Sequence, residues 1–313
     1  MLLMSTLGSC SPTSKTDCGF IIKGDIVTVT DSLNQEITFD KIPTNVVFLQ
    51  SSLAEPWLLC EGSIKGICGD FKEYELDSKY GIDESNTVIV GNSAHSPDKA
   101  KILACKPDVV FYSPDISTQR EVAVGIVEAG YKVCAVKIDN FSDYYRTLSQ
   151  YSAILTHEEK SHYVIEYGDE VKAKIEAIKI KAKAKQSDAI IFRARSSGYT
   201  IFREEADHFA LEIFKDLNIT NKADITWNAK AFDFSKLLNS NPAYIFYFYM
   251  GINTEEAVEK YLDENVRSNP IWEKLSAVKN DRVKILEQKY FHYKPNQNWD
   301  KAYEEVYNIV YGE

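Results

Sequence analysis

Two arginines, Arg193 and Arg195, stand two apart in the run IIFRARSSGYTIF, so in an extended chain both project to one side of a sheet. Guanidinium groups in so apolar a strand need carboxylate partners, such as Glu204 or Glu205, or an anionic ligand held by charge-assisted hydrogen bonds. A second stretch, EQKYFHYKPNQNW at 287–299, gathers Lys289, His292, Lys294 and three aromatics ahead of Pro295. Its residue types fit a metal or catalytic centre, a nucleic-acid patch or the wall of a pocket. The five histidines, His95, His157, His162, His208 and His292, lack metal-ligand spacing, and the closest pair, His157 and His162, are five apart and do not share a helix face. No G-x-S-x-G elbow or glycine-rich phosphate loop is present, so catalysis would have to rest on a long-range constellation. No catalytic residue, metal ligand or resident cofactor is expected.

The elements that position these residues follow from hydrophobic periodicity. At 313 residues the chain is about twice one usual domain, and 44% hydrophobic against 26% charged residues supplies material for two cores. A net charge of −10 repels polyanions, which excludes nucleic acid as a primary partner. The alternation in DIVTVTDSLNQEITFD predicts a β-hairpin, and NVVFLQ, VVFYS and KVCAVKI read as buried parallel strands with helices between them. Together they outline an α/β lobe over 24–156. Next, 157–185 carries no proline and spaces Val164, Tyr167, Val171, Ile175 and Ile178 three or four apart, which predicts one long connecting helix of about 40 Å. Strand texture restarts in DAIIFRARSSGYTIF and AYIFYFYMG, giving a second α/β lobe over 186–313. The lobes echo each other: KILACKPDVVFY from Lys101 and KLLNSNPAYIFY from Lys236 match at five of twelve positions with a constant offset of 135.

Ligands of such sheets bind beyond the C-terminal ends of the strands or between domains. That rule places Ser51, Ser52, Asn92, Ser93 and Ser113 on the first-lobe wall of a cleft. On the second-lobe side it places Arg193 and Arg195, with Tyr199, Trp227, Tyr249 and Met250 in loops near the mouth, able to stack on a planar ligand or chelate. Small polar residues at strand ends also serve as helix caps, so each carries a competing structural role.

The leader, 1–23, runs MLLMSTLGSCSPTSKTDCG through a short apolar run and small residues to Cys10, and LGSC resembles a bacterial lipobox, which implies a lipid-bearing Cys10 on a flexible tether. No stretch approaches eighteen apolar residues. The remaining cysteines show no C-x-x-C, and Cys60 and Cys105 read as small buried hydrophobes.

The segment VTVTDSLNQEITFDKIPTNVVFLQSSLAEPWLLCEGSIKGICG is similar to the opening of class III solute-binding proteins of ABC importers. The resemblance continues through SPDKAKILACKPDVVFYSP, EAGYKVCAVKIDNFSDYYRTL and NPIWEKLSAVKNDRVKIL. It implies two α/β lobes joined by a single long rigid helix, a shallow interlobe cleft and closure by a few degrees. It also implies an extracytoplasmic, lipid-anchored monomer that captures a metal chelate, foremost a ferric siderophore, and delivers it to an ABC permease and ATPase complex. The alternatives within the family are a haem or corrinoid receptor; outside it, a metal-dependent enzyme or chaperone on the same scaffold. By the same resemblance the last cleft-lining loop precedes the C-terminal helix, which assigns His292, Tyr293 and Lys294 to the ligand wall, and permease-docking glutamates stand where this chain has Ala100 and Ser235. Asp98 and Asp233, two residues upstream and again 135 apart, are the candidate docking pair, although aspartate at a helix start also acts as an N-cap.

Overall fold

The computed structural model describes residues 18–251 and 253–312, so Cys10 lies outside the described residues. Strands β1 (Phe20–Lys23), β2 (Ile26–Thr30) and β3 (Glu36–Phe39) form an antiparallel sheet in that order. Alternation turns Val27, Val29, Ile37 and Phe39 inward. The hairpin is pinned to the lobe by buried Asp31, whose carboxylate accepts the N–H groups of Leu33 and Gln35 at 2.8 Å and of Ala135 at 3.1 Å. Strand β1 falls inside the segment expected to be tether. The body therefore starts before residue 24, because Gln150 holds the Cys18 carbonyl at 2.9 Å and β1 pairs along its length with β2.

The first lobe is built on β4 (Val46–Phe48), β5 (Gly66–Ile67), β6 (Val88–Ile89), β7 (Val109–Tyr112) and β8 (Val133–Ala135), all parallel in the order β6-β5-β4-β7-β8. Helices cover both faces, which is why the β4 and β7 runs are apolar throughout and fully buried at Val46, Val47, Phe48 and Val109–Phe111. The second lobe uses β9 (Ser187–Arg195), β10 (Gly198–Ile201), β11 (Ile219–Asn221), β12 (Tyr244–Tyr249) and β13 (Val283–Ile285). Their order is β10-β9-β12-β13, with β11 parallel to the first half of β9 and β10 antiparallel to its second half. The expected mixed α/β architecture with parallel sheets is what the chain forms.

The internal echo has a structural meaning. Helices Lys99–Ala104 and Phe234–Ser240 begin at Asp98 and Asp233, whose carboxylates accept two backbone N–H groups each, and lead to prolines that precede β7 and β12. Both turns pass through a left-handed residue, Lys106 at φ 47° and Asn241 at φ 37°, themselves 135 apart.

The connecting helix is shorter than 157–185. His157, at φ 57°, terminates helix Phe141–Thr156, and the connector starts at His162, makes a π turn over Ile165–Asp169 and runs on as Glu170–Ala182. From 162 to 182 it extends about 31 Å. Val164, Val171 and Ile175 are buried and Tyr167 and Ile178 half-buried, as the spacing requires. Gly168 allows Tyr145 to pack on the π turn, since a Cβ there would lie 2.9 Å from the ring.

A second link between the lobes is polar. Glu55, on helix Ser51–Leu59, is 5% exposed, and its carboxylate accepts Asn296 Nδ2 at 2.7 Å and Gln297 Nε2 at 3.2 Å, while Lys79 Nζ lies 3.6 Å away. Asn296, fully buried at φ 50°, also donates to the Ser52 carbonyl at 3.2 Å and so adds to the interlobe contact. Asn296→Ala leaves the carboxylate short of a donor and puts a Cβ-bearing residue without amide stabilisation at positive φ, so urea unfolding at neutral pH should show a loss of about 2–4 kcal/mol. A change within 0.5 kcal/mol, on the order of a surface substitution, would contradict the clamp.

Candidate functional site

Beyond the C-terminal ends of β4, β8 and β9 the lobes enclose a chamber of about 250 Å³. Gln50, Tyr74 and Asp139 line it from the first lobe, and Arg193, the 205–209 segment, His292 and Lys294 from the second. A further concavity of about 560 Å³ lies between Glu73, Tyr74 and Lys79 on one lobe and Gln288, Tyr290, Tyr293 and Lys294 on the other. Tyr74 and Lys294 border both spaces, and Tyr74 and Tyr293 meet across the lobes with ring centroids 4.7 Å apart.

The chamber brings together charges of both signs, and they are unequally paired. Arg193 makes no ion pair among the described residues: Glu205 is paired with Lys215 at 2.8 Å and Asp207 with Arg203 at 3.2 Å, so the sequence-near carboxylates do not reach it. Burial, and then the neighbouring Arg195, work against the Arg193 charge, the condition an anionic ligand would relieve. Lys294 lies 3.7 Å from Asp139 across the cleft and 5.5 Å from the Phe209 ring centroid, and burial pulls its pKa down. Asp139 is shared with Lys137 at 2.8 Å, which leaves Lys294 only part of its charge. Burial holds His208 well below the ordinary histidine range, with Lys294 and Arg193 adding to it, and burial and Arg193 push His292 down to about 4. Both imidazoles are neutral at pH 7. His208 Nδ1 accepts the Ala210 N–H at 3.2 Å, whereas His292 Nδ1 is buried with no hydrogen-bond partner among the described residues.

Of the residues assigned from sequence, Arg193, His292, Tyr293 and Lys294 line the cleft. The others do not. Ser51 and Ser52 are fully buried in the first turn of their helix, where the Ser51 hydroxyl donates to Asp70, and the preceding residue, Gln50, faces the chamber instead. Ser113 is buried, with its N–H on Gln119 Oε1 at 2.7 Å, and Asn92 and Ser93 belong to a turn in which Ser93 and Ser96 hydroxyls bond at 3.1 Å. Tyr199 is on β10, not in a loop. The register sets Tyr199 and Tyr249 opposite Ala194 on either side, so both lie on the face of β9 away from Arg193. There Tyr199 accepts the Phe232 N–H at 2.8 Å, Trp227 is buried in the core and Tyr249 donates to Glu259 at 2.9 Å. Met250 is half-buried, with its N–H on the Ala194 carbonyl at 2.8 Å. Arg195 shares the Arg193 face but lies beyond the chamber wall. Asp139, directly after a recognised strand, was within reach of the strand-end rule; Tyr74, from the irregular segment after β5, had no sequence signal.

The segment bearing His292–Lys294 is held from beneath. Glu305, on helix Trp299–Tyr311, accepts the Glu287 N–H at 2.8 Å through Oε1, while Oε2 is buried without a partner. Burial, aided by Glu287, pushes this carboxyl up to about 7. A carboxyl whose folded pKa is raised favours the folded state below its unfolded value near 4.3 and loses that advantage as pH rises towards 7. Glu305→Gln, which keeps the acceptor, should therefore leave stability near pH 4 little changed and raise it at pH 8, measured as urea midpoints across pH. Equal midpoint shifts at both pH values would contradict a buried titrating carboxyl.

With this geometry in place, the comparisons with known proteins bear on it directly. The family model described as periplasmic binding protein matches residues 70–290. A curated relative, the iron-uptake system-binding protein of Bacillus subtilis, is 29% identical over 195 residues, covering 60% of this chain; the chain spans 58% of that relative's length. In fold, a periplasmic binding protein from Veillonella parvula superposes with TM-score 0.71 at 14% identity, over 92% of this chain and 98% of that one. Staphylococcus aureus SirA complexed with staphyloferrin B gives TM-score 0.67 at 18% identity, over 90% and 98%. A match over 221 of 313 residues, on a fold whose two lobes enclose a cleft at their strand ends, places this chain in the periplasmic binding protein family.

Proposed function

We propose that the chain is the extracytoplasmic receptor of an ABC importer, capturing an anionic ferric chelate of the siderophore class between its lobes and handing it to the permease. The observation that carries this reading is Arg193, an arginine without a carboxylate partner among the described residues, projecting into a chamber walled by both lobes. Lys294 adds a second donor that an incoming carboxylate or catecholate can draw from Asp139. The name of the Bacillus relative supports iron as the cargo. The output is affinity: the protein works by binding and release, as a monomer, with no resident cofactor and no catalytic step. Lipid on Cys10 would keep it at the membrane.

The chelate class is tested by tryptophan-fluorescence titration against ferric carboxylate and catecholate siderophores, haem and cobalamin. A ferric siderophore should bind with Kd below about 10 μM, roughly −7 kcal/mol. Arg193→Ala should weaken it at least about tenfold, one charge-assisted bond being worth about 1.5–3 kcal/mol. Binding of haem or cobalamin alone would replace the ligand reading with the corresponding family alternative.

Asp98 and Asp233 are exposed, occupy the same turn of each lobe and keep one carboxylate oxygen outside their capping bonds. We assign them to permease docking. Asp98→Arg with Asp233→Arg should abolish uptake in cells while leaving ligand affinity within about twofold, beyond the cap loss of about 1 kcal/mol per site in stability. Undiminished uptake would remove the assignment.

A further inference from the structure

The outward face of the connecting helix and the turn after it carries a charge opposite to that of the protein. Over 170–185 six lysines stand against Glu170 and Glu176, a local +4 in a chain of net −10. Part of that charge is neutralised: Lys174 pairs with Asp300 at 3.2 Å, Lys179 with Asp216 at 3.1 Å and Glu176 at 3.3 Å, and Lys185 is tied to the Tyr311 carbonyl. Lys181 and Lys183 are exposed and make no ion pair among the described residues, and Ile180 between the rows is 72% exposed. Lys172 continues the basic face, its ammonium 5.9 Å from the Tyr145 ring centroid.

The point where the tether meets the body lies next to this face. The Cys18 carbonyl is held by Gln150, on the same helix as Tyr145, and Tyr145 in turn donates to Asp169 on the connector at 2.8 Å and lies under Lys172. Eight residue steps separate Cys10 from Cys18, at most about 28 Å of extended chain.

From this placement we infer that the lysine face of the connecting helix, centred on Lys181, Lys183 and exposed Ile180, rests on an anionic lipid surface. The inference rests on the proposed lipid at Cys10 for its biological setting. A single lipid chain or a few lysines alone give weak, reversible membrane binding, and the two together anchor and orient a protein. Outside 170–185 the chain carries a net charge of −14, so approach through this face is the electrostatically favoured one.

The test uses the full chain carrying Cys10→Ser, which removes any lipid, in co-sedimentation with mixed phosphatidylglycerol–phosphatidylcholine vesicles and with neutral phosphatidylcholine vesicles. The chain should bind the mixed vesicles at low salt, release at high salt and ignore the neutral ones. Lys181→Glu with Lys183→Glu should reduce the partition coefficient about tenfold or more at an unchanged thermal midpoint. Failure of the parent chain to bind anionic vesicles, including the case in which this face takes an acidic protein helix instead, would overturn the inference, as would equal binding by the double variant. Lipid labelling of the unmodified chain is read separately: a chain that takes no label yet binds anionic vesicles refutes the anchor and keeps the lipid-binding face.

Discussion

The buried carboxylate of Glu55 is the interaction on which the cleft depends. A carboxyl group removed from water is tolerated only with its hydrogen bonds supplied, and here the donors come from the other lobe, through Asn296 and Gln297, with Lys79 beside them. The lobes are therefore joined twice, by the connecting helix and by this clamp. Pro295 leads straight into the clamped residues, so His292, Tyr293 and Lys294 reach the cleft from an anchored segment. Two links of this kind tie the two walls of the cleft to each other.

The electrostatics of the chamber follow from which acids are already engaged. Arg203 and Lys215 occupy Asp207 and Glu205, which leaves Arg193 uncompensated and the two imidazoles neutral beside it. On the proposed reading, an anionic ligand would supply the counter-charge that Arg193 lacks among the described residues. Lys294 differs: its contact with Asp139 spans the cleft and joins one wall to the other.

Much of the architecture was legible in the sequence because strands buried on both faces are continuous Val/Ile/Phe runs and because the lobes repeat one turn at a constant offset. Arg193 stood out for the same reason, as a charge in an apolar strand. Tyr199 and Tyr249 were misplaced because aromatic character does not reveal which face of a sheet a residue occupies; that is set by the pairing of β9 with β10 and β12, where one step of register exchanges cleft for core, whereas Trp227 lies in a loop as expected but packs into the core. Ser51 and Ser52 missed by a single position, since the strand-end rule does not say where the helix begins. The Glu55–Asn296 clamp had no sequence signal, its partners being 241 residues apart.

The most direct test of the central claim is the position of iron, located by anomalous diffraction in crystals grown with the ferric siderophore that binds tightest. The account predicts a peak between the lobes, with an anionic ligand group hydrogen-bonded to Arg193. Iron outside the cleft, for example in the outer concavity lined by Lys183, Arg203 and Asn221, would contradict it.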